Sequence, residues 1–186
     1  NTKSEIKKWG DYGITKLESN NIFFKKIPLT EKFALNQFNT KNLYNIPVNC
    51  NYGFGTAGIN PWRELITHIK TSNWVLTGEI ENFPLLYHYR IIETKPTKLK
   101  FDFKYWNSNN NIKNYIDAKS KSKYKILLFI EYFPKVVQNW MLENKNNINS
   151  FYKQSLNIIN FLNLKNIIHF DTHNGNFVVD SNNTIY

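Results

Sequence analysis

Short apolar runs and turn-forming segments alternate at the start of the chain. Segments 6–9, 14–17 and 22–27 have the length and composition of β-strands, and segments 10–13 and 18–21 between them are rich in Gly, Asp, Ser and Asn. Pro28 is expected to end the third strand, because proline has no N–H to donate to a sheet. The pattern predicts an antiparallel sheet that begins with a glycine-containing hairpin.

Helical spacing appears farther along, and the helix with the clearest ends begins at Asn60. Asn60 is a preferred N-cap residue, Pro61 fits the first helical position, and Gly78 is a typical C-terminal residue. The other predicted elements are strands over 83–92 and 124–133 and helices after Thr30, near 112–118, over 136–143 and over 149–164. Strands and helices in this arrangement predict an α+β fold.

Composition and charge narrow the class of protein. A hydrophobic fraction of 41% with 16% aromatic residues is typical of a globular chain. The net charge of +10 permits binding to nucleic acid, but the lysines are spread along the chain, and no zinc-finger, RNP or helix-turn-helix signature accompanies them. A nucleic-acid partner is therefore not favoured.

Cysteine usage and hydropathy bear on the compartment. Cys50 is the single cysteine of the sequence, which excludes a disulfide within it and suits a reducing compartment. No apolar run approaches the length of a membrane span, and no secretory signal opens the sequence. We therefore expect a cytoplasmic protein with no membrane partner.

The segment richest in candidate chemistry is 169–176, which has the pattern H-x-D-x-H-x-x-N. Its polar members are His169, Asp171, His173 and Asn176, and apolar runs on either side are expected to pin it between two buried strands. Kinase catalytic loops use this spacing, because a carboxylate orients and deprotonates the accepting hydroxyl and an amide oxygen five residues later holds Mg²⁺. The spacing therefore favours a kinase-type catalytic loop.

Two other interpretations fit the same segment. Asp and Asn are ordinary turn residues, so the segment could be a plain turn. His169, Asp171 and His173 could also be metal ligands on alternate positions of a strand, although no further ligand at a recognisable zinc spacing is visible nearby. The choice depends on the upstream chain.

The motif resembles the catalytic loop of the protein-kinase-like superfamily. His173 and Gly175 make it most similar to the branch that contains aminoglycoside and choline kinases. The resemblance implies that Asp171 is the catalytic base, that Asn176 is a Mg²⁺ ligand and that His169 structures the loop.

Upstream segments follow the order of the same family. Residues 22–25 resemble the kinase strand whose Lys bridges the α- and β-phosphates of ATP, which implies that role for Lys25. Lys26 would face the opposite side of the sheet, so the register of this strand decides between the two lysines. The resemblance also implies that Gly10 and Gly13 lie in a turn over the phosphates.

Two further segments correspond to the nucleotide site of that family. Glu64 is the one acidic residue of its predicted helix, and the resemblance implies that it pairs with Lys25; electrostatic capping of the helix is the alternative role. The strand ending at 131–134 is similar to a kinase hinge. That likeness implies that backbone groups around Glu131 and Phe133 bind the adenine edge of ATP.

Residues 53–58 match G-x-G-x-x-G, which is also typical of a dinucleotide-binding loop. That interpretation requires a buried strand just before the glycines, but 45–52 is interrupted by Pro and Asn. A glycine loop that lines the nucleotide cleft is therefore favoured.

The resemblance as a whole implies an α+β, protein-kinase-like two-lobed fold. Residues 1–133 would form a nucleotide-binding N-lobe and hinge, with an antiparallel sheet and an αC-type helix, and residues 134–186 would begin a helical C-lobe. The second Mg²⁺ carboxylate of the family, the Asp of D-F-G, would fall just past Tyr186, and position 1 is not Met. The sequence is therefore expected to be a truncated chain, which the missing ligand could leave inactive.

The expected function is that of an ATP- and Mg²⁺-dependent kinase. It would transfer the γ-phosphate to a hydroxyl acceptor on a protein or a small molecule, with a protein-kinase-like enzyme slightly favoured over the aminoglycoside and choline kinase type. An inactive pseudokinase-like binding module and a basic nucleic-acid-binding domain are the alternatives.

Overall fold

The computed structural model describes residues 11–47, 60–99 and 102–186. Two compact units are present. The described parts of Asn1–Lys70 and Leu85–Glu131 form the sheet unit, and Thr71–Pro84 with Tyr132–Tyr186 form the helical unit. A four-stranded antiparallel sheet with several helices confirms the expected α+β class. The assignment of residues 1–133 and 134–186 to two kinase lobes stays a prediction.

The sheet contains four strands in the order β1-β2-β4-β3, and every neighbouring pair is antiparallel. The strands are β1 (Tyr12–Leu17), β2 (Asn20–Leu29), β3 (Leu86–Glu93) and β4 (Tyr124–Glu131). β4 has a neighbour on each side, and its Ile126 and Leu128 are fully buried. The most apolar strand of the sequence is therefore a central one.

The prediction of a turn at 10–13 is wrong for its last two residues, which are in a strand. Tyr12 and Gly13 begin β1, where they lie opposite Lys25 and Phe24 of β2. The tight turn that joins β1 to β2 lies at 18–19, as expected, and Glu18 takes a positive φ of 55° there. Gly13 is thus a strand residue.

Pro28 does not end β2 as predicted. The strand continues to Leu29, and Pro28 lies opposite Lys125 of β4. Among the described residues β1 pairs with β2 only as far as Lys25, so β2 has a neighbour on one side only at Pro28. Edge-like positions of this kind tolerate a residue without an N–H.

The core of the sheet unit contains side chains from β2, β4 and three helices. The helices are α1 (Glu31–Ala34), α2 (Pro61–Leu76) and α3 (Asn110–Ser120). Trp62 is fully buried, and its indole Nε1–H donates to the carbonyl oxygen of Phe33 at 2.8 Å. Because a buried indole requires such a partner, this bond fixes the first turn of α2 in the core.

The predicted helix ends are confirmed for α1 and α2. Thr30 Oγ1 accepts from the N–H of Phe33 at 3.4 Å, and Asn60 Oδ1 accepts from the N–H of Trp62 at 2.9 Å. These side chains satisfy N–H groups that have no partner within their helices. Gly78 follows the end of α2 with a φ of 76°, a conformation that glycine adopts without strain.

The helical unit contains two further helices and a small two-stranded sheet. The helices are α4 (Val137–Glu143) and α5 (Ile148–Leu164), and the sheet pairs β5 (Lys135–Val136) with β6 (Val178–Val179). The apolar stripe predicted on α5 is only partly right: Phe151 and Leu162 are buried in the core of this unit, but Tyr152 and Leu156 are more than half exposed. Phe151, Ile158 and Leu162 thus anchor the helix that leads into segment 169–176.

One of the two strands expected around segment 169–176 is absent. β6 follows the segment, and Val179 bridges to Ile185. Ile167 and Ile168 are not in a strand: Ile167 packs against the core, whereas Ile168 is 66% exposed. The segment is therefore held by a strand on one side and by the end of α5 on the other.

Three predictions lie outside the described residues: the strand at 6–9, Gly10, and the glycine run at 53–58. Within 11–47, 60–99 and 102–186, no helix combines the length and the apolar character needed to cross a bilayer.

Candidate functional site

Lys25 and Glu64 form an ion pair in the sheet unit. Lys25 Nζ lies 2.5 Å from Glu64 Oε1, and the two side chains are 36% and 18% exposed. Lys25 comes from β2 and Glu64 from the first turn of α2, so the expected contact is present. Partial burial makes the attraction stronger than at an open surface. The pair holds an ammonium group at a defined position.

The register of β2 decides between the two lysines. Ile27 and Leu29 of β2 belong to the core, and Lys25 shares their face because successive side chains alternate. Lys26 lies on the other face, with its Nζ 5.4 Å from the centroid of the Phe24 ring. Lys25 is therefore the lysine that reaches Glu64.

Two further basic groups, the partly buried His68 and the buried Lys119, interact electrostatically with this ion pair, and sequence reasoning missed both. Burial lowers the pKa of His68; the charge of Glu64 partly opposes this shift, and the charge of Lys25 adds to it. Burial also lowers the pKa of Lys119, against the opposing charges of Asp11 and Glu64. His68 follows Glu64 by one helical turn, a spacing that could have identified it.

The predicted adenine-binding residues have contacts within their own units. The N–H of Glu131 donates to the carbonyl of Leu85 at 2.8 Å, and Glu131 Oε2 accepts from the N–H of Leu85 at 3.1 Å. In the helical unit, the rings of Phe133 and Tyr186 lie 4.2 Å apart between centroids. The N–H of Glu131 is thus engaged within the sheet unit, and adenine binding by these residues stays a prediction.

The structure adds little support to the prediction that Gly10 and Gly13 form a turn over the phosphates of ATP. Gly10 lies outside the described residues, and Gly13 is buried within β1. Phosphate binding by these two glycines stays a prediction, and for Gly13 it would have to come from a strand.

The loop 169–176 of the helical unit is anchored to α4. The N–H of Gln138 donates to the carbonyl of Asn174 at 3.1 Å, and the N–H of Val137 donates to the carbonyl of Phe177 at 2.9 Å. These N–H groups belong to the first turn of α4, where no intrahelical partner exists. The loop therefore supplies the missing acceptors and is fixed in return.

Asp171 lies at the centre of this loop. Asn176 Nδ2 donates to the carbonyl oxygen of Asp171 at 2.7 Å and to its Oδ2 at 2.9 Å. His173 Nε2 lies 3.6 Å from Asp171 Oδ1, and the Asp171 side chain is 57% exposed. The carboxylate is thus oriented by its neighbours and still open to solvent.

His169 contacts the backbone of the same loop. Its Nδ1 accepts from the N–H of Asp171 at 3.3 Å, a contact of the kind expected from a residue that structures the loop. His173 Nδ1 accepts in turn from the N–H of Gly175 at 3.0 Å. One ring nitrogen of each histidine is therefore engaged by the backbone.

Among the described residues, no group of three or more His, Cys, Asp or Glu side chains is placed to hold a metal ion. Asn176 offers a different kind of ligand, because an amide oxygen suits hard cations such as Mg²⁺. Since Asn176 Nδ2 faces Asp171, its Oδ1 is the atom available for such a cation.

Two open cavities lie in the helical unit. One of about 530 Å³ is lined mainly by amide side chains around Trp140, and one of about 230 Å³ lies between α5 and the loop residues Thr172 and Asn174. Neither is lined by Asp171 or Asn176. The candidate chemistry of the loop is thus on its open surface.

A scan against models of protein families gives no match to the chain, and a search of curated proteins gives no significant match. The functional conclusion therefore depends on the motif and on the contacts described above.

Proposed function

We propose that the protein is an ATP-dependent phosphotransferase with a protein-kinase-like two-lobed fold. The observation that supports this most directly is the contact between Asn176 and the Asp171 carboxylate, 2.9 Å from Nδ2 to Oδ2. It joins the two residues that the H-x-D-x-H-x-x-N pattern predicts to act together. The contact of the Asn176 amide with the Asp171 carbonyl oxygen at 2.7 Å is one that a plain turn would also make, so the proposal depends on the second contact, to the carboxylate.

In this proposal Asp171 orients the acceptor hydroxyl and takes its proton. The hydroxyl oxygen forms a bond to the γ-phosphorus of ATP, the bond from that phosphorus to the β–γ bridging oxygen breaks, and ADP leaves with the electron pair. The 57% exposure of the Asp171 side chain gives the acceptor access, and its contacts to Asn176 and His173 limit its rotation. Positioning of this kind is a large part of phosphoryl-transfer catalysis.

Lys25 would bind the α- and β-phosphates, with Glu64 holding its ammonium group in place. The 2.5 Å contact between them supports this role, because a Lys that is already oriented loses less freedom on binding a phosphate. Removing Glu64 would leave Lys25 able to turn toward solvent.

Asn176 would hold Mg²⁺ through its amide oxygen. The Asn176 amide oxygen suits Mg²⁺ because it is a hard ligand, and because Mg²⁺ is usually bound by one or two protein groups together with phosphate oxygens. When bound, Mg²⁺ supplies positive charge that offsets the charge developing on the transferred phosphate.

The acceptor is a hydroxyl group on a protein or a small molecule. The order of the upstream elements favours a protein-kinase-like enzyme. Small-molecule kinases are the second class, because His173 is typical of the aminoglycoside and choline kinase branch. A panel of phosphorylation assays on both acceptor classes, with ADP release as the readout, distinguishes them.

The proposal is tested by thermal-shift titration with ATP, with and without Mg²⁺. A ligand at about a hundredfold excess over its Kd adds about 2.7 kcal/mol, which corresponds to about 5 to 10 °C for a domain of this size. We expect Mg²⁺-ATP to stabilise the wild type, and Asn176→Ala and Lys25→Met to lose most of this shift.

Asn174→Ala is the matched control, because it removes an amide from the same loop without touching Asp171. It should retain the full shift. Stabilisation without any ADP release would indicate the pseudokinase-like module. No response to ATP in any variant, with or without Mg²⁺, would refute the nucleotide site.

A further inference from the structure

His173 contacts two different groups through its two ring nitrogens. Nδ1 accepts from the backbone N–H of Gly175 at 3.0 Å, and Nε2 lies 3.6 Å from Asp171 Oδ1. The side chain is otherwise 60% exposed, so burial does not account for its position. These two polar contacts determine where the ring lies.

The contact to Gly175 determines which nitrogen carries the proton in neutral His173. An acceptor nitrogen has no hydrogen, so with Nδ1 accepting from Gly175 the proton is on Nε2. The Nε2–H dipole then faces Asp171 Oδ1. At 3.6 Å this contact is longer than a hydrogen bond and acts through electrostatic attraction. It can shorten when an acceptor orders the loop, as catalytic contacts often do.

The absence of a side chain at Gly175 leaves room for the His173 ring. A Cβ at this position would lie 2.7 Å from His173 Cε1 and 2.9 Å from Nδ1, closer than such atoms approach in proteins. Any larger residue would therefore displace the ring from Asp171.

Asp171 consequently has a different polar neighbour at each carboxylate oxygen. Asn176 Nδ2 donates to Oδ2 at 2.9 Å, and His173 Nε2 faces Oδ1 at 3.6 Å. The χ2 torsion of an Asp is broad and roughly two-fold, so one donor alone leaves the plane of the carboxylate loosely defined. A hydrogen bond to Oδ2 together with an electrostatic attraction at Oδ1 restricts that plane further.

We propose that His173 is a positioning residue that, together with Asn176, fixes the plane of the Asp171 carboxylate for the acceptor hydroxyl. This inference rests on the proposed phosphotransferase function and adds a residue to it. A misplacement of about 1 Å in a reacting group costs on the order of a hundredfold in rate, so a partial loss of orientation should cost about tenfold.

Two conservative variants separate the two contacts. In His173→Asn the amide oxygen can take the place of Nδ1 and keep the Gly175 contact, but no donor reaches Asp171. In His173→Gln the amide nitrogen can take the place of Nε2 and keep the donor to Asp171. Gly175→Ala keeps the imidazole and displaces it, and Thr172→Ala is a control in the same loop.

The experiment measures ADP release from Mg²⁺-ATP, with water as acceptor, for the full chain and these variants. We expect His173→Asn and Gly175→Ala to lower kcat about tenfold with an unchanged KM for ATP, because neither contacts the nucleotide. His173→Gln should stay within about threefold of the wild type, and Thr172→Ala should match it. A role confined to loop structure predicts the reverse order for the Asn and Gln variants.

The outcomes distinguish this inference from the function on which it rests. Equal kcat for wild type and His173→Asn, or a Gln variant as slow as the Asn variant, overturns the positioning role and leaves the phosphotransferase function standing. A wild type without ADP release or ATP-induced stabilisation overturns the function itself. Independently of activity, ¹⁵N NMR of the imidazole at pH 8 should show the Nε2–H tautomer, and an Nδ1–H tautomer overturns the inferred geometry.

Discussion

The contact between Lys25 and Glu64 leads to a quantitative prediction, because it links β2 to α2 in the sheet unit. The perturbation is a double-mutant cycle of Lys25→Met, Glu64→Gln and the double variant, which isolates the interaction between the two charges. With exposures of 36% and 18%, the pair lies between an open surface pair and a buried one. Surface pairs contribute at most about 1 kcal/mol, and hydrogen bonds to charged groups about 1.5 to 3 kcal/mol.

We therefore expect a coupling free energy of about 1 to 1.5 kcal/mol. For a domain of this size, such a loss lowers Tm by about 2 to 6 °C. Glu64→Gln should cost more than Lys25→Met, because it leaves the ammonium of Lys25 uncompensated near the buried Lys119. The coupling should fall in 1 M salt, since part of the pair is exposed to screening.

Urea unfolding of the four proteins at pH 7.5, followed by circular dichroism, measures the coupling. Lys26→Met combined with Glu64→Gln is the control, because Lys26 lies over Phe24 on the other face of β2 and should give additive effects. A coupling below about 0.3 kcal/mol for Lys25 and Glu64, or an equal coupling for Lys26, would refute the reasoning from the register of β2.

Three further predictions follow from single residues. Gly78→Ala should destabilise the protein by about 1 kcal/mol, although a Cβ meets nothing within 4 Å, because φ is 76°; Gly78→Asn, measured by the same unfolding assay, should cost less. Trp62→Phe should cost about 1 to 3 kcal/mol, since it removes the indole donor from the Phe33 carbonyl, which keeps the N–H of Asn36, and leaves space at a fully buried position; a cost near zero would contradict that bond. The pKa of His68 is lowered in the folded protein, so below pH 6.5 the unfolded state binds more protons than the folded state. The free energy of unfolding should therefore decrease as pH falls below 6.5, by at most about 1.4 kcal/mol per pH unit. His68→Gln should flatten the pH dependence of the unfolding free energy below pH 6.5, and an unchanged slope would contradict the lowered pKa.

Local features of the fold were predictable from the sequence. Thr30 and Asn60 cap the helices that their positions predict, and Gly78 has the positive φ expected at a helix end. A cap bonds only to residues two or three positions away, so neighbouring sequence contains all the information that it requires. The same holds for the apolar run of β4, whereas the stripe predicted on α5 was right for Phe151 and Leu162 only.

Strand ends were less predictable because they depend on neighbours distant in sequence. Proline usually ends a strand, but β2 passes through Pro28 since the described part of β1 pairs only as far as Lys25. The run Ile167-Ile168 has strand composition, yet its residues are not in a strand and Ile168 is exposed. Whether an apolar run becomes a strand depends on an available partner edge, which composition does not specify.

The candidate site shows the same division between sequence and tertiary structure. The contact between Asp171 and Asn176 was predictable from their spacing, because both residues lie within one short segment. The choice of Lys25 over Lys26 depended on strand register, and the cluster around Glu64 depended on which helix packs against β2. A one-residue shift in register moves a side chain to the other face of a sheet. Long-range pairing alone therefore decided which charges meet, although the sequence had already determined which charges were available.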